Sequence, residues 1–275
     1  MTFHKRLFTA LVGAILTFAA APAARTLPAY AQVTAAATAG DLAQIRQTGV
    51  LRVGETGDYD PFTVAEPNGT YRGIDADAAG MLAKAIGPNV KVEVVKTSWP
   101  TLSADLQAGK FDIAMGGISW NEARAKIGEL SHPYISDGKV ALIRASDKAK
   151  FKTLSDLDRP GVTVLVNPGG TNSVFVKDTI KNAKVVVVQD NLAIPGMIAD
   201  GKGDVMFTDG VEARLKASRD HRLYAVDPDH PFTHSTHVYF MPKGSTALLD
   251  FVNGWIDKSK TDGTYAKLFA EYIGS

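Results

Sequence analysis

Two stretches of this chain, LQAGKFDIAMGG at Leu106–Gly117 and MIADGKGDVMFTDG at Met197–Gly210, pass through the same steps: a helix end, Gly-Lys, one variable residue, Asp, then a strand ending in polar or glycine residues. Gly109, Lys110 and Asp112 correspond to Gly201, Lys202 and Asp204. Each half also carries an earlier strand that leads into a turn-rich segment: Leu51–Glu55 into TGDYDPF, and Thr163–Val166 into NPGGTNSVF. Two copies are too few for a solenoid, so the echo predicts two similar halves in succession.

The halves read as α/β. Short β-branched runs at Leu51–Glu55, Val90–Thr97, Ile113–Gly116, Val140–Arg144, Val162–Val166, Val185–Gln189, Val205–Thr208 and Val238–Met241 alternate with helical patterns. Helices are predicted over Asp75–Ile86, Trp99–Ala108, Asn172–Asn182, Asn191–Asp200, Gly210–Ala217, Ser245–Lys260 and Tyr265–Tyr272. In open α/β sheets ligands sit beyond the carboxyl ends of strands, so two facing lobes place their strand-end loops across one cleft. Those ends nominate Asp58, Tyr59 and Phe62; Thr97, Ser98 and Trp99; Gly117, Ile118, Ser119 and Trp120; Asn167–Ser173; and Thr208 with Asp209. The aromatic residues among them suit lobe packing as well as ligand contact.

Within Asn167–Ser173, the Pro-Gly-Gly turn before Thr171 lets the main chain approach closely. Thr171 is expected to cap the following helix, whose first amides then offer an anion site together with Gly170, Asn172 and Ser173. The same segment also reads as an ordinary tight turn. It is not a P-loop or a dinucleotide fingerprint, because the required lysine and glycine spacings are missing. Asp209, at a strand end just before a helix, is either an N-cap or a partner for a cation.

The chain opens with Met-Thr-Phe-His-Lys-Arg, continues through an apolar run at Leu7–Ala21 and reaches Ala29-Tyr30-Ala31, which reads as a cleaved signal peptide over residues 1–31. Export to the periplasm follows, with no membrane insertion of the mature chain. Gln32–Gly40 reads as a loose mature terminus. Removal of residues 1–31 takes away Lys5, Arg6 and Arg25 and no acid. The 30 basic and 29 acidic residues then become 27 and 29, a net charge of about −2 with no footprint for nucleic acid. There is no cysteine, hence no disulfide and no thiolate metal site. His230, His234 and His237 lack an accompanying acid or helical spacing and read as a connector, so no metal is expected. No Gly-x-Ser-x-Gly elbow is present.

The opening LRVGETGDYDPF, the segment YRGIDADAAGMLAKAIG, the run FDIAMGGISWNEARAKIGELSHPY, the loop NPGGTN and the strand end DVMFTD resemble the type II periplasmic solute-binding proteins, family 3, over nearly all of the mature chain. The resemblance implies a two-lobed fold hinged on two crossing strands, with lobe 1 over residues 41–142 and 236–275 and lobe 2 over 143–235. The hinge is expected near Val140–Ala145 and Thr236–Met241. It implies no cofactor, a small carboxylate or amino-acid ligand, and an ABC permease as partner. Arg124 matches the arginine that forks onto the ligand carboxylate, although Thr-x-Glu-Arg reads here Asn121-Glu122-Ala123-Arg124; guanidinium suits that task. By the same resemblance Thr171 serves the carboxylate and Asp209 accepts the ligand ammonium.

TGDYDPF, TSWPTL, PYISDGK, VNPGGTN and DGVEARL further resemble the cyclohexadienyl dehydratase branch, whose members remove water and carbon dioxide from prephenate or arogenate. That reaction needs an acid for the departing hydroxyl, and the resemblance implies a glutamate directly after Gly-Gly-Thr-Asn. Here Ser173 stands there, too weak an acid for the role. The expected function is therefore solute binding with no catalytic residue, and dehydration is the alternative.

Overall fold

The computed structural model describes residues 39–274. The expected signal peptide lies outside them. Two five-stranded sheets organise the chain, each with helices against it, and the molecule is a two-lobed α/β protein. In the first sheet the order is Lys91–Lys96, Val50–Glu55, Ile113–Ala114, Phe240–Pro242, Gly128–Leu130; in the second it is Lys184–Val187, Thr163–Val166, Val205–Asp209, Lys139–Arg144, Leu223–Val226. Three neighbouring strands are parallel in each, and the fourth runs antiparallel to the third. The internal echo is thus a shared topology.

The echoed aspartates show why that motif recurs. Asp112 Oδ2 accepts the Arg52 amide at 2.9 Å, and Asp204 Oδ2 accepts the Thr163 amide at 2.8 Å, so each pins the central parallel strand of its sheet near that strand's start. Each carboxylate also pairs with an arginine at 2.7 Å, Arg52 in one case and Arg144 in the other.

Alternation along Lys139–Arg144 explains its unbroken apolar run. Val140 and Leu142 pack with Ile194, Ile198 and Met206 on one face of the second sheet, while Ala141 and Ile143 pack with Phe151, Val164 and Phe207 on the other. A strand buried on both faces needs no polar side. The first sheet is covered by Ile74–Ile86 and by the C-terminal helices Thr246–Thr261 and Thr264–Ile273, which bury Leu82, Val252, Ile256 and Leu268.

Two expectations need correction. Val140–Leu142, assigned above to lobe 1, pairs with Val205–Asp209 and so belongs to the second sheet. The strands that cross between the lobes are Ile135–Asp137 and Ser235–His237, an antiparallel pair of their own, several residues before the expected hinge at Val140–Ala145. Within that stretch Val140–Ile143 is too apolar to cross an open gap and is buried in the second lobe instead.

Candidate functional site

A crevice between the sheets is bordered by Tyr59, Trp99, Gly117 and Ser119 from one side and by Asn167, Gly170, Thr171, Asn172, Asn191 and Asp209 from the other. Its free volume is about 20 Å³, room for a group the size of a water. The lobes are closed on it. Three consecutive residues make the closing contacts: the Asp58 carbonyl accepts Asn191 Nδ2 at 2.9 Å, the Tyr59 hydroxyl donates to Asp209 Oδ2 at 2.5 Å, and Asp60 Oδ2 accepts Lys216 Nζ and Arg219 Nη1 at 2.8 and 2.7 Å.

The glycine loop takes part in that closure. The helix after it is Gly170–Thr179, and its N-cap is Gly169 rather than Thr171, whose hydroxyl therefore makes no cap and lines the cleft. Gly169 has φ 72°, and a Cβ there would stand 2.6 Å from the Pro100 nitrogen and 2.9 Å from the Trp99 carbonyl carbon, backbone of the opposite lobe. Gly169→Ala is therefore expected to hold the lobes apart. Its signature is a larger radius of gyration in small-angle scattering and about tenfold weaker ligand binding; an unchanged radius would contradict it.

Asp209 sits at the N-cap position of the helix Gly210–Arg219, but its carboxylate makes no cap. Asp137 takes that duty, accepting from the Gly210 and Val211 amides at 2.7 and 3.1 Å. Of the two readings open for Asp209, the cap is excluded and the cation partner remains. That cation is Lys139, which the reading above missed. Its ammonium donates to Asp209 Oδ1 at 2.6 Å, Asn172 Oδ1 at 2.6 Å and Thr171 Oγ1 at 2.9 Å, using all three of its protons. Burial alone would raise the Asp209 carboxyl, but Lys139, His237 and the Tyr59 hydroxyl hold it below the ordinary range. It stays ionised at neutral pH.

Arg124 lies on the short helix Glu122–Ile127, whose first turn is closed by Asn121 accepting the Arg124 amide. Its side chain is 6% exposed and donates Nη1 to the Ser119 carbonyl at 2.5 Å. Among the described residues no carboxylate lies within ion-pair distance of it. Burial lowers its pKa to about 10, only partly opposed by Asp209, so it remains a cation at pH 7. A buried cation without a counter-charge is a place for an anion.

The other nominated residues divide. Trp99 stands edge-on to Tyr59 and donates Nε1 to Asp58 Oδ1 at 2.8 Å, which fixes the floor of the crevice. The Gly117 amide is taken by Asp75 at 2.6 Å, and a Cβ there would meet the Tyr59 ring at 2.4 Å; this glycine makes room for Tyr59 and offers no donor to a ligand. Ser119 faces Thr171 across 3.4 Å. Ser173 is half-buried on its helix and does not border the crevice. Phe62 and Ile118 are core residues. His237 is fully buried and stacked on Phe62, whereas His230 is exposed, so the three histidines do not converge.

The match of residues 51–275 to the family model of the bacterial extracellular solute-binding proteins, family 3, agrees with this hinged cleft. The chain belongs to that family. This solute-binding protein is 43% identical to the cyclohexadienyl dehydratase of Pseudomonas aeruginosa over 81% of its own length and 82% of the relative's. Among solved structures it resembles an ancestral amino acid-binding protein described as a precursor of cyclohexadienyl dehydratase, with a TM-score of 0.77, 36% identity and coverage of 84% and 99% of the two chains. It is also similar to an ancestral cyclohexadienyl dehydratase, with a TM-score of 0.54, 49% identity and coverage of 85% and 96%. Among its described residues no helix is long and apolar enough to cross a membrane.

One further buried carboxyl borders the network of this solute-binding protein. Glu212 accepts from Thr208, its Oε1 has no hydrogen-bond partner among the described residues, and burial pushes its pKa up to about 7. Between pH 4.5 and 7 the folded state therefore holds a proton that the unfolded state has lost, and stability falls as pH rises through that window. Glu212→Gln removes a penalty of at most about 3 kcal/mol above pH 7 and of about nothing near pH 4.5. Its thermal midpoint should exceed the wild type's by several degrees at pH 8 and match it at pH 4.5.

Proposed function

We propose that the protein is a periplasmic receptor that clamps a small carboxylic acid lacking an α-amino group and delivers it unchanged to an ABC importer. One observation carries this reading: the Lys139 ammonium already occupies Asp209, the acceptor a ligand ammonium would need, while buried Arg124 has no carboxylate partner among the described residues. The ligand carboxylate pairs with Arg124, assisted by Ser119 and Thr171, and the closed lobes exclude water from that pair. Trp99 and Tyr59 wall the space beside it. Titration of the purified protein with matched pairs, pyruvate against alanine and phenylpyruvate against phenylalanine, tests the assignment. Each oxo acid is expected to bind at least tenfold tighter than its amino acid, and the opposite order would overturn it.

A second reading, dehydration of prephenate to phenylpyruvate, is favoured by the identity to dehydratases. Its weak point is the acid. Ser173 cannot protonate a leaving hydroxyl, and Asp209, the carboxyl that borders the crevice, is kept ionised by Lys139. Incubation with prephenate decides between the readings: release of phenylpyruvate above the spontaneous rate would establish the enzyme. A Ser173→Glu variant run alongside should then be about 10²-fold faster than the wild type.

A further inference from the structure

We infer that His237 binds a proton when the cleft closes on its acid, so that the protein takes up the anion and a proton together; this rests on the acid-binding reading above. His237 ends the crossing strand Ser235–His237 and is fully buried. Neither of its ring nitrogens has a hydrogen-bond partner among the described residues. Its ring stacks on Phe62 at 4.7 Å between centroids, a contact that a phenylalanine would make as well without burying polar nitrogens. What distinguishes the imidazole is its surroundings: Nε2 stands 3.7 Å from Asp137 Oδ2 and 3.8 Å from Asp209 Oδ2. A neutral ring gains little there, whereas an imidazolium faces two carboxylates at ion-pair distance.

Ionisable groups reach the ring from several elements. Asp137 belongs to the other crossing strand, Ile135–Asp137, and Asp209 to the end of Val205–Asp209; Asp75, on the helix Ile74–Ile86, is near enough for the ring's charge to act on its carboxyl. Tyr59 and Tyr134 flank the ring at 6.4 and 6.2 Å between centroids, and their hydroxyls donate to Asp209 and Asp75. The cations of this set are Lys139, already bonded to Asp209, and Arg124, on which the Asp209 charge also acts. Two cations thus face three carboxylates before a ligand enters, and the ligand adds a fourth. With the lobes apart, water reaches Asp209 and screens that excess; closure expels the water and strengthens each ionic interaction. Histidine is the side chain that supplies a cation on demand near neutral pH. The proton comes from solvent, and the Nε2–H of the resulting imidazolium lies between the carboxylate of the hinge and that of the site.

Calorimetry of phenylpyruvate binding in two buffers of different ionisation enthalpy counts the protons taken up, and nitrogen NMR of labelled histidine locates them. The His237 signal is identified by its contacts to the Phe62 ring, so the wild type alone decides should a variant not fold. At pH 7.5 about 0.5–1 proton is expected per bound acid, with affinity about tenfold weaker at pH 8 than at pH 6.5 and the ring passing from neutral to imidazolium. Glu212 also titrates near pH 7, but Glu212→Gln should keep the uptake and His237→Gln should abolish it. Binding without proton uptake, uptake that disappears in Glu212→Gln, or a ring in the same state with and without the acid would overturn the role of His237 while leaving the acid-binding reading intact. Failure of both phenylpyruvate and pyruvate to bind would remove the two together.

Discussion

Lys139→Met is expected to reverse the ligand preference of the cleft and to lower the thermal midpoint by about 10 °C. The substitution keeps the length of the side chain and removes its charge, so Asp209 is left buried with only the Tyr59 hydroxyl and no ion-pair partner closer than His237. Breaking a buried pair from one side costs about 3–5 kcal/mol, and for a domain of this size each kcal/mol moves the midpoint by about 2–4 °C. The vacated place then fits the ammonium of an α-amino acid whose carboxylate is on Arg124. Phenylalanine should accordingly raise the midpoint of the variant more than that of the wild type, and phenylpyruvate should lose at least tenfold in affinity. Lys139→Met combined with Asp209→Asn should recover the midpoint without gaining the amino acid. Equal responses of wild type and Lys139→Met to phenylalanine would show that Lys139 does not stand in the ammonium position.

That lysine also shows which part of the site could be read from the chain. The rule that ligands sit beyond the carboxyl ends of strands finds Tyr59, Trp99, Ser119, Thr171 and Asp209 because their strands run parallel. Lys139–Arg144 is antiparallel to Val205–Asp209 and presents its first residue at the cleft, with Lys139 opposite Asp209 in register. Strand direction is not written in the run KVALIR itself. The signal available was a lysine heading an otherwise apolar strand, since a charged residue there needs a partner. The two similar halves were legible because Asp112 and Asp204 do the same physical work at the same spacing. Cap assignments were not, because they depend on neighbours distant in sequence: Asp137 reaches the helix of Gly210 across the lobe and relieves Asp209. Short helices such as Leu42–Thr48 and Glu122–Ile127 were missed for want of enough turns to display a period.

Arg124→Met should separate binding from stability in opposite directions. The folded state buries this guanidinium against the Ser119 carbonyl alone, and lowering its pKa from the ordinary arginine value to about 10 corresponds to roughly 3 kcal/mol against the charged form. Because the unfolded chain keeps its proton up to the higher value, that penalty is present in full at every pH below about 10 and is relieved only as pH rises through it. Methionine fills a comparable length of apolar space without the charge, so the ligand-free variant should melt no lower than the wild type. Affinity for the acid should fall by at least 100-fold, since a desolvated carboxylate would lose the buried cation beside the cleft that, unlike Lys139, is not already paired with a carboxylate; truncating such pairs costs about 2–5 kcal/mol. Arg124→Lys should recover little of that loss, because an ammonium cannot reproduce the bidentate fork. Calorimetric titration with phenylpyruvate and a ligand-free thermal scan of the three proteins supply both readings. A variant that binds as the wild type does would place the acid elsewhere, and one that is strongly destabilised without ligand would mean that Arg124 serves the fold and not the anion.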